Sequence, residues 1–254
     1  MIEIKRIIPK LEIKNENLIK GVQFEGLRII GDPIKFAKKF FEDGADQIII
    51  IDIVASLYSR KNLFQTLDKI TDDIFIPITA GGGVKNLEDI KKLLEAGADR
   101  VSINTFALEN HEILSEVSEK FGSQFLSVLI EVKKIDNKYY CMKNHGRDNS
   151  GLELSKWIEF LKTKGIGEIL IQSIDDDGMR HGFDDHLLDQ IKDLKINMPT
   201  VVGCGIGNLN HCIKILDQNF ISGLTISSSL YSEDIKINEL KSDLKKKEIP
   251  INEI

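Results

Sequence analysis

No part of this sequence is apolar for long enough to cross a bilayer; the longest aliphatic stretches, such as Ile48 to Ile51, fall far short of a spanning helix. Met1 to Lys10 carries charge but no apolar signal core, so the mature chain is expected to begin here and to stay in the cytoplasm. The three cysteines, Cys141, Cys204 and Cys212, are an odd number without metal-ligand spacing. They indicate neither a disulfide framework nor a zinc site, and no metal or cofactor is implied. A basic excess is missing too: the net charge is -6, which argues against broad nucleic-acid binding. No Pro-, Gly- or Ser-rich linker and no low-complexity tract divides the 254 residues, so one domain over 1–254 is expected.

What is present is a repeat. In Ile78 to Asn86, ITAGGGVKN, a β-type run ends in three glycines and a helix follows. Gly81, Gly82 and Gly83 lack Cβ atoms, so bare N–H groups can approach an anion while the helix near Asn86 points its positive end there. Shifted by 122 positions, IPITAGGGVKNL falls on MPTVVGCGIGNL; by 119, LEIK at Leu11 falls on IEVK at Ile130; by 121, GADQIIII at Gly44 falls on GIGEILIQ at Gly165. Such closely spaced offsets mark a duplication of half the chain. Two similar halves imply two similar sites, and hence a small-molecule ligand carrying two phosphates.

Eight β-branched runs, RIIPKLEI, QIIIIDI, FIPITA, RVSINT, FLSVLIEV, EILIQSI, TVVGCG and SGLTISS, alternate with amphipathic patterns. Helical spacing covers 33–42, 87–95, 112–120, 153–162 and 209–216. Near-continuous apolar strands indicate a sheet covered on both faces, hence parallel. The expected fold is α/β: a (β/α)8 TIM barrel built from two duplicated half-barrels, with its chemistry at the strand C-termini. The structural alternative is a doubly wound open sheet. Long connections at 14–32 and 133–150 are expected as loops at that end, with a small hairpin around KYYCM.

Glu12 and Glu131 are the candidate catalytic acids, because each ends an apolar strand at an equivalent place in the repeat. The alternative for each is a structural ion pair with Lys20 or Lys133. Asp52 and Asp177 end other strands and are expected to face the site. Gly83, Asn104 and Thr105 form the first candidate phosphate site; Gly178, Gly205 and Ser228 form the second. Cys204 replaces a glycine there, so a differently shaped loop is expected. The five histidines are expected to be surface or loop residues.

KRIIPKLEIKN, LIKGVQF, GDPIKFAKKF, IIDIVAS, FIPITAGGGVKNLEDIKKLLEAGADRVSINT, FGSQ, GIGEILIQSIDDDG and GFD together resemble the cyclase subunit of imidazole glycerol phosphate synthase, of histidine biosynthesis. That resemblance implies a heterodimer with a glutaminase subunit, whose ammonia crosses the barrel. There it attacks a bisphosphorylated ribulosyl aminoimidazole carboxamide nucleotide, giving imidazole glycerol phosphate and an aminoimidazole carboxamide ribonucleotide. The family's general acid and base are aspartates, so Glu12 and Glu131 are departures, and Lys20 joins the ligand-binding set. The resemblance also maps an ammonia gate onto Arg6, Gln47, Arg100 and Glu168, with Gln47 where an acid is usual, and a glutaminase contact onto Asp99.

A second reading follows from the same resemblance. Cyclase-like paralogues are associated with glycosyl amidation in surface-polysaccharide synthesis, where they are thought to deliver ammonia to a separate sugar amidotransferase. The sister isomerase of histidine synthesis is a third. Neither nucleic acid nor membrane is an expected partner.

Overall fold

The computed structural model describes residues 3–54 and 61–252; Ala55 and Ser56, which end the IIDIVAS motif, lie outside them. The strands are β1 (Arg6–Lys14), β2 (Asn17–Val22), β3 (Glu25–Gly31), β4 (Ile48–Asp52), β5 (Ile78–Gly81), β6 (Arg100–Ile103), β7 (Leu126–Ile135), β8 (Lys138–Lys143), β9 (Asp148–Glu153), β10 (Glu168–Ser173), β11 (Thr200–Gly203) and β12 (Gly223–Ile226). Parallel pairing runs β1-β4-β5-β6-β7-β10-β11-β12, and β12 returns to β1. The open sheet is therefore excluded, and the fold is a closed (β/α)8 barrel.

Alternation along each strand divides the core in two. Ile7, Leu11 and Ile13 of β1 pack outward with the helices, in one cluster with Phe40, Leu67 and Trp157. Ile8 packs inward with Ile49, Ile51, Leu129, Leu170 and Val201. Arg6, Lys10 and Glu12 share Ile8's side of the strand. An apolar plug thus separates a polar lower end of the barrel from a polar mouth.

Helices Pro33–Glu42, Leu87–Glu95 and Leu209–Leu216 match their expected spans, and each has a local reason to start there. Asp32, Asn86 and Asn208 accept hydrogen bonds from Ile34, Asp89 and His211 N–H respectively. A cap of this kind contributes about 1 kcal/mol. The helix expected over 112–120 runs Glu112–Phe121, and the one over 153–162 is Leu154–Leu161.

The second long connection holds the hairpin expected around KYYCM, and the first, expected as a loop, holds one too. Each is largely an antiparallel β-hairpin that extends a barrel strand: β2 pairs β1 and β3, while β8 pairs β7 and β9. Asn15 at the β1–β2 turn, and Asp136 with Asn137 at the β7–β8 turn, take positive φ values of 57°, 48° and 60°. Asn and Asp tolerate that left-handed backbone better than other non-glycine residues. Both half-barrels therefore open with the same device, a first strand prolonged into a hairpin standing over the mouth.

Candidate functional site

Glu12 lies at the mouth with both carboxylate oxygens taken by ammonium groups. Lys10 Nζ is 2.6 Å from Oε1 and Lys20 Nζ is 3.0 Å from Oε2. Lys20 also donates to both oxygens of Asp177 at 2.7 Å, and Lys10 donates to Gln172 Oε1 at 2.8 Å. Lys10, Glu12, Lys20 and Asp177 are all buried. Two cations and two anions leave this network neutral, which a buried group of charges requires. Burial alone would raise the Glu12 pKa, but Lys10 and Lys20 outweigh it and hold the carboxyl well below its ordinary range. Burial likewise opposes the charge on Lys20, and Glu12 and Asp177 reverse that and raise its pKa.

Glu131, at the equivalent place on β7, has different neighbours. Its Oε2 accepts from Asn104 Nδ2 at 3.0 Å and from Gly146 N–H at 3.2 Å, and its Oε1 lies 3.6 Å from His145 Nδ1. No ammonium group reaches it among the described residues, and Lys133 is exposed. The ion-pair alternative is thus correct for Glu12 with Lys20, and replaced for Glu131 by neutral donors and an imidazole. The two acids share a mouth but not an environment.

The side of the mouth bearing Glu131 opens into a cavity of ≈ 680 Å³ lined by Asp52, Gly83, Asn104, Thr105, Glu131 and His145, among others. Helix Thr105–Glu109 begins there, and Thr105 Oγ1 accepts from Asn144 N–H at 2.9 Å. Asp52 Oδ1 accepts from Val54 N–H at 3.0 Å. At the second loop Asp177, Gly178, Gly205 and Ser228 line a cleft of ≈ 20 Å³, and Gly178 and Ser228 also border a cavity of ≈ 650 Å³ under the β2–β3 hairpin. Arg180 lies across the cleft, donating to Ser228 O at 3.0 Å and pairing with Asp234.

Cys204 corrects one expectation. Its φ is 87°, against 116° at Gly82 in the first half, and Gly205 and Gly83 follow at 76° and 60°. Both loops keep positive φ at the two equivalent positions, and Cys204 takes up the left-handed backbone that a glycine adopts in the first half. The difference lies in the surroundings: a Cβ at Gly82 would stand 2.1 Å from Asp52 O.

The histidine biosynthesis protein family matches residues 6–236. Curated relatives named imidazole glycerol phosphate synthase subunit HisF cover nearly the whole chain. The one from Natranaerobius thermophilus is 38% identical over 247 residues, 97% of this chain and 98% of the relative. The one from Sulfurisphaera tokodaii is 37% identical over 248 residues, 97% and 98%. An Exiguobacterium relative is 35% identical over 247 residues, 97% and 96%. This chain belongs to the imidazole glycerol phosphate synthase cyclase family. It is therefore related to enzymes of cyclase type in histidine biosynthesis. Among the described residues no helix is long and apolar enough to cross a membrane, and no acid, cysteine and histidine cluster could hold a metal ion.

At the opposite end of the barrel lie the residues that the synthase resemblance assigned to a gate. Arg6 bridges Glu168 at 2.6 Å and donates to Gln47 Oε1 at 2.8 Å, while Gln47 Nε2 donates to Thr79 Oγ1 at 2.8 Å. Arg100 turns away and donates to Gln124 O at 3.2 Å. Glu168 Oε1 is buried without a partner. Asp99 is exposed, but its Oδ2 accepts from Ile78 N–H at 2.8 Å, as Asp46 Oδ2 accepts from Ile7 N–H at 2.7 Å. The two GAD turns, both in the first half of the chain, thus staple the starts of neighbouring strands.

Two residues of the mouth were missed in the sequence. Lys10 reads there as one more charge in a strand. His145 reads as a loop residue, yet its side chain is 8% exposed and its ring stacks on Phe24, with centroids 4.4 Å apart and planes 7° apart. The signal for His145 was its place in a hairpin tip on a line with the IEVK acid, visible only once β7 and β8 are paired.

Proposed function

We propose that this chain is the ammonia-using barrel subunit of an imidazole glycerol phosphate synthase, working as a heterodimer with a glutaminase. Its reaction is the conversion of the bisphosphorylated ribulosyl aminoimidazole carboxamide nucleotide into imidazole glycerol phosphate and aminoimidazole carboxamide ribonucleotide. The observation that carries this reading is the open cavity in which Glu131 meets the glycine loop and helix start of the first half-barrel. A phosphate held at Gly83, Asn104 and Thr105 would be met by backbone N–H groups and a helix N-terminus, which favour anions. Gly178, Gly205 and Ser228 would hold the second phosphate, with Arg180 moving aside. Ammonia would enter between Arg6, Gln47, Arg100 and Glu168, and the glutaminase would dock on the face bearing Asp99. All of this chemistry belongs in the cytoplasm.

One observation favours delivery to a sugar amidotransferase instead. With an ammonium group on each oxygen and its pKa held down by them, Glu12 is poorly placed to carry and donate a proton. The deciding experiment is turnover of the bisphosphorylated nucleotide by the full chain with ammonium salt and no partner. Formation of imidazole glycerol phosphate supports the synthase reading. Tight ligand binding without product refutes it and leaves delivery.

A further inference from the structure

Beside Glu131 sits a polar atom with no protein partner. Nε2 of His145 is buried and makes no hydrogen bond, while Nδ1 of the same ring faces Glu131 Oε1 at 3.6 Å. Leaving such an atom unmatched costs about 1–3 kcal/mol. The turn that holds it is itself strained: Asn144, His145 and Gly146 take successive φ values of 54°, 57° and 75°. Phe24, on the opposite hairpin, then fixes the plane of the ring. A side chain placed at such cost, with one nitrogen turned to a carboxylate and the other uncommitted, has the layout of a carboxylate–imidazole dyad.

The carboxylate supports that assignment. Glu131 is 3% exposed; Asn104 Nδ2 and Gly146 N–H donate to its Oε2, and His145 Nδ1 faces its Oε1 at 3.6 Å. Two neutral donors thus fix the carboxylate on one side and leave the other oxygen to the imidazole, as in the acid behind a catalytic imidazole. Its partner forms part of the wall of the ≈ 680 Å³ cavity, along with Gly83, Thr105 and Arg147.

We propose that His145 is a catalytic residue of this site, acting through Nε2, with Glu131 as its positioning residue. The proposal rests on the reading that ammonia reacts in this cavity. As the nitrogen lone pair forms the new C–N bond to the substrate ketone, the C=O π pair moves onto oxygen. Nε2 accepts a proton from the new ammonium nitrogen, and Glu131 stabilises the imidazolium through Nδ1–H. The imidazolium then gives that proton to the alkoxide, leaving a neutral carbinolamine and a regenerated imidazole. The Nδ1 to Oε1 distance of 3.6 Å is slightly beyond a hydrogen bond and has to shorten in the reacting complex.

The test uses the full chain, ammonium salt and the bisphosphorylated nucleotide. His145→Phe keeps a ring against Phe24 and removes both nitrogens; His145→Ala removes the ring. In both, kcat should fall about a hundredfold or more, the scale of a lost acid–base group, while KM stays within about threefold. Added imidazole should raise the activity of His145→Ala at least about tenfold and leave His145→Phe unchanged, because the phenyl ring fills the slot. A His145→Phe enzyme that keeps its kcat within about threefold would show a packing role only and overturn the proposal. If that variant does not fold, failure of imidazole to rescue His145→Ala overturns it. Natural protein that binds the nucleotide but never turns it over sinks both the synthase reading and the role of His145. Activity that survives both substitutions sinks the role of His145 alone.

Discussion

Lys10 Nζ sits 2.6 Å from Glu12 Oε1 inside the barrel mouth, two residues along the same strand and on the same side of it. A strand places residues i and i+2 on one face, so the pair is local in sequence, yet its burial depends on Lys20 from β2 and Asp177 beyond β10. Removing one charge from such a group leaves another uncompensated. Lys10→Met is expected to destabilise the fold by about 3 kcal/mol, and Lys10→Met with Glu12→Leu, which removes a cation and an anion together, by clearly less. Urea midpoints of the two variants would decide: equal losses would mean the charges do not act as a balanced set.

The same network sets a pH dependence. The carboxyl of Glu12 is held below its ordinary pKa, so its contribution to stability is fully present above the unfolded value of about 4.3. Below that pH the unfolded chain takes up a proton that the folded chain refuses, and the contribution shrinks until pH falls through the depressed folded value. The stability advantage of the natural protein over Glu12→Gln should therefore be constant at neutral pH and narrow under acid conditions. An advantage that disappears already between pH values of about 5 and 7 would contradict the assignment.

The glycine loops offer a reciprocal exchange. Gly82→Cys would push a Cβ to within 2.1 Å of Asp52 O on a backbone at φ 116°, so a loss of several kcal/mol, above about 3, is expected. Cys204→Gly trades a small, partly buried side chain for relief of a left-handed backbone, and stability should move by less than about 1 kcal/mol. Thermal unfolding of both variants tests whether the two halves differ in their surroundings rather than in loop shape.

Much of this architecture was legible because its causes are local. Each barrel strand is an apolar run, and helix starts at Pro33, Leu87 and Leu209 follow from the Asp or Asn just before them. Asp175 and Asp176, beside Asp177, accept instead from Lys134 and Asp184 N–H at 2.8 and 2.9 Å and so tie down the loop. The small hairpin around KYYCM was legible, whereas the one at 14–31 was missed, because its polar strands lack a clear apolar alternation. Lys10 and His145 were missed for a different reason. A lysine inside a strand is buried only if anions from other elements meet it, and no spacing within β1 announces them.

Ligand binding should also differ between the loops. Asp substitutions at Thr105 and Ser228 place a like charge at the starts of the two helices that face the candidate phosphates. They are cleaner than Gly205→Asp, whose Cβ would meet Gly182 O at 2.0 Å. Calorimetry with the bisphosphorylated nucleotide should show Thr105→Asp weakening affinity by about tenfold or more and Ser228→Asp by less, because Arg180 lies across the second loop and must move first. The reverse order would mean that the second cleft, once Arg180 moves, is the principal anchor.

The position of Lys10 also decides how the departure at Glu12 can be undone. Shortening the acid alone, Glu12→Asp, should not free it, because Lys20 and Lys10 both end in flexible arms that can follow the retreating carboxylate. Ammonia-dependent turnover is therefore expected to stay within about threefold of the natural protein. Removing the cation as well, in Lys10→Ala with Glu12→Asp, empties the space beside the carboxylate and lets a ligand approach it; turnover should rise at least about tenfold. Lys10→Ala alone separates two causes, since it frees Glu12 without changing its length. If that single change lowers the rate of an already competent enzyme, Lys10 belongs to the machinery, and the case for delivery to a sugar amidotransferase loses the observation it stands on. If no variant turns over while all bind the nucleotide, the clamp is not what prevents cyclisation, and the barrel serves to pass ammonia onward.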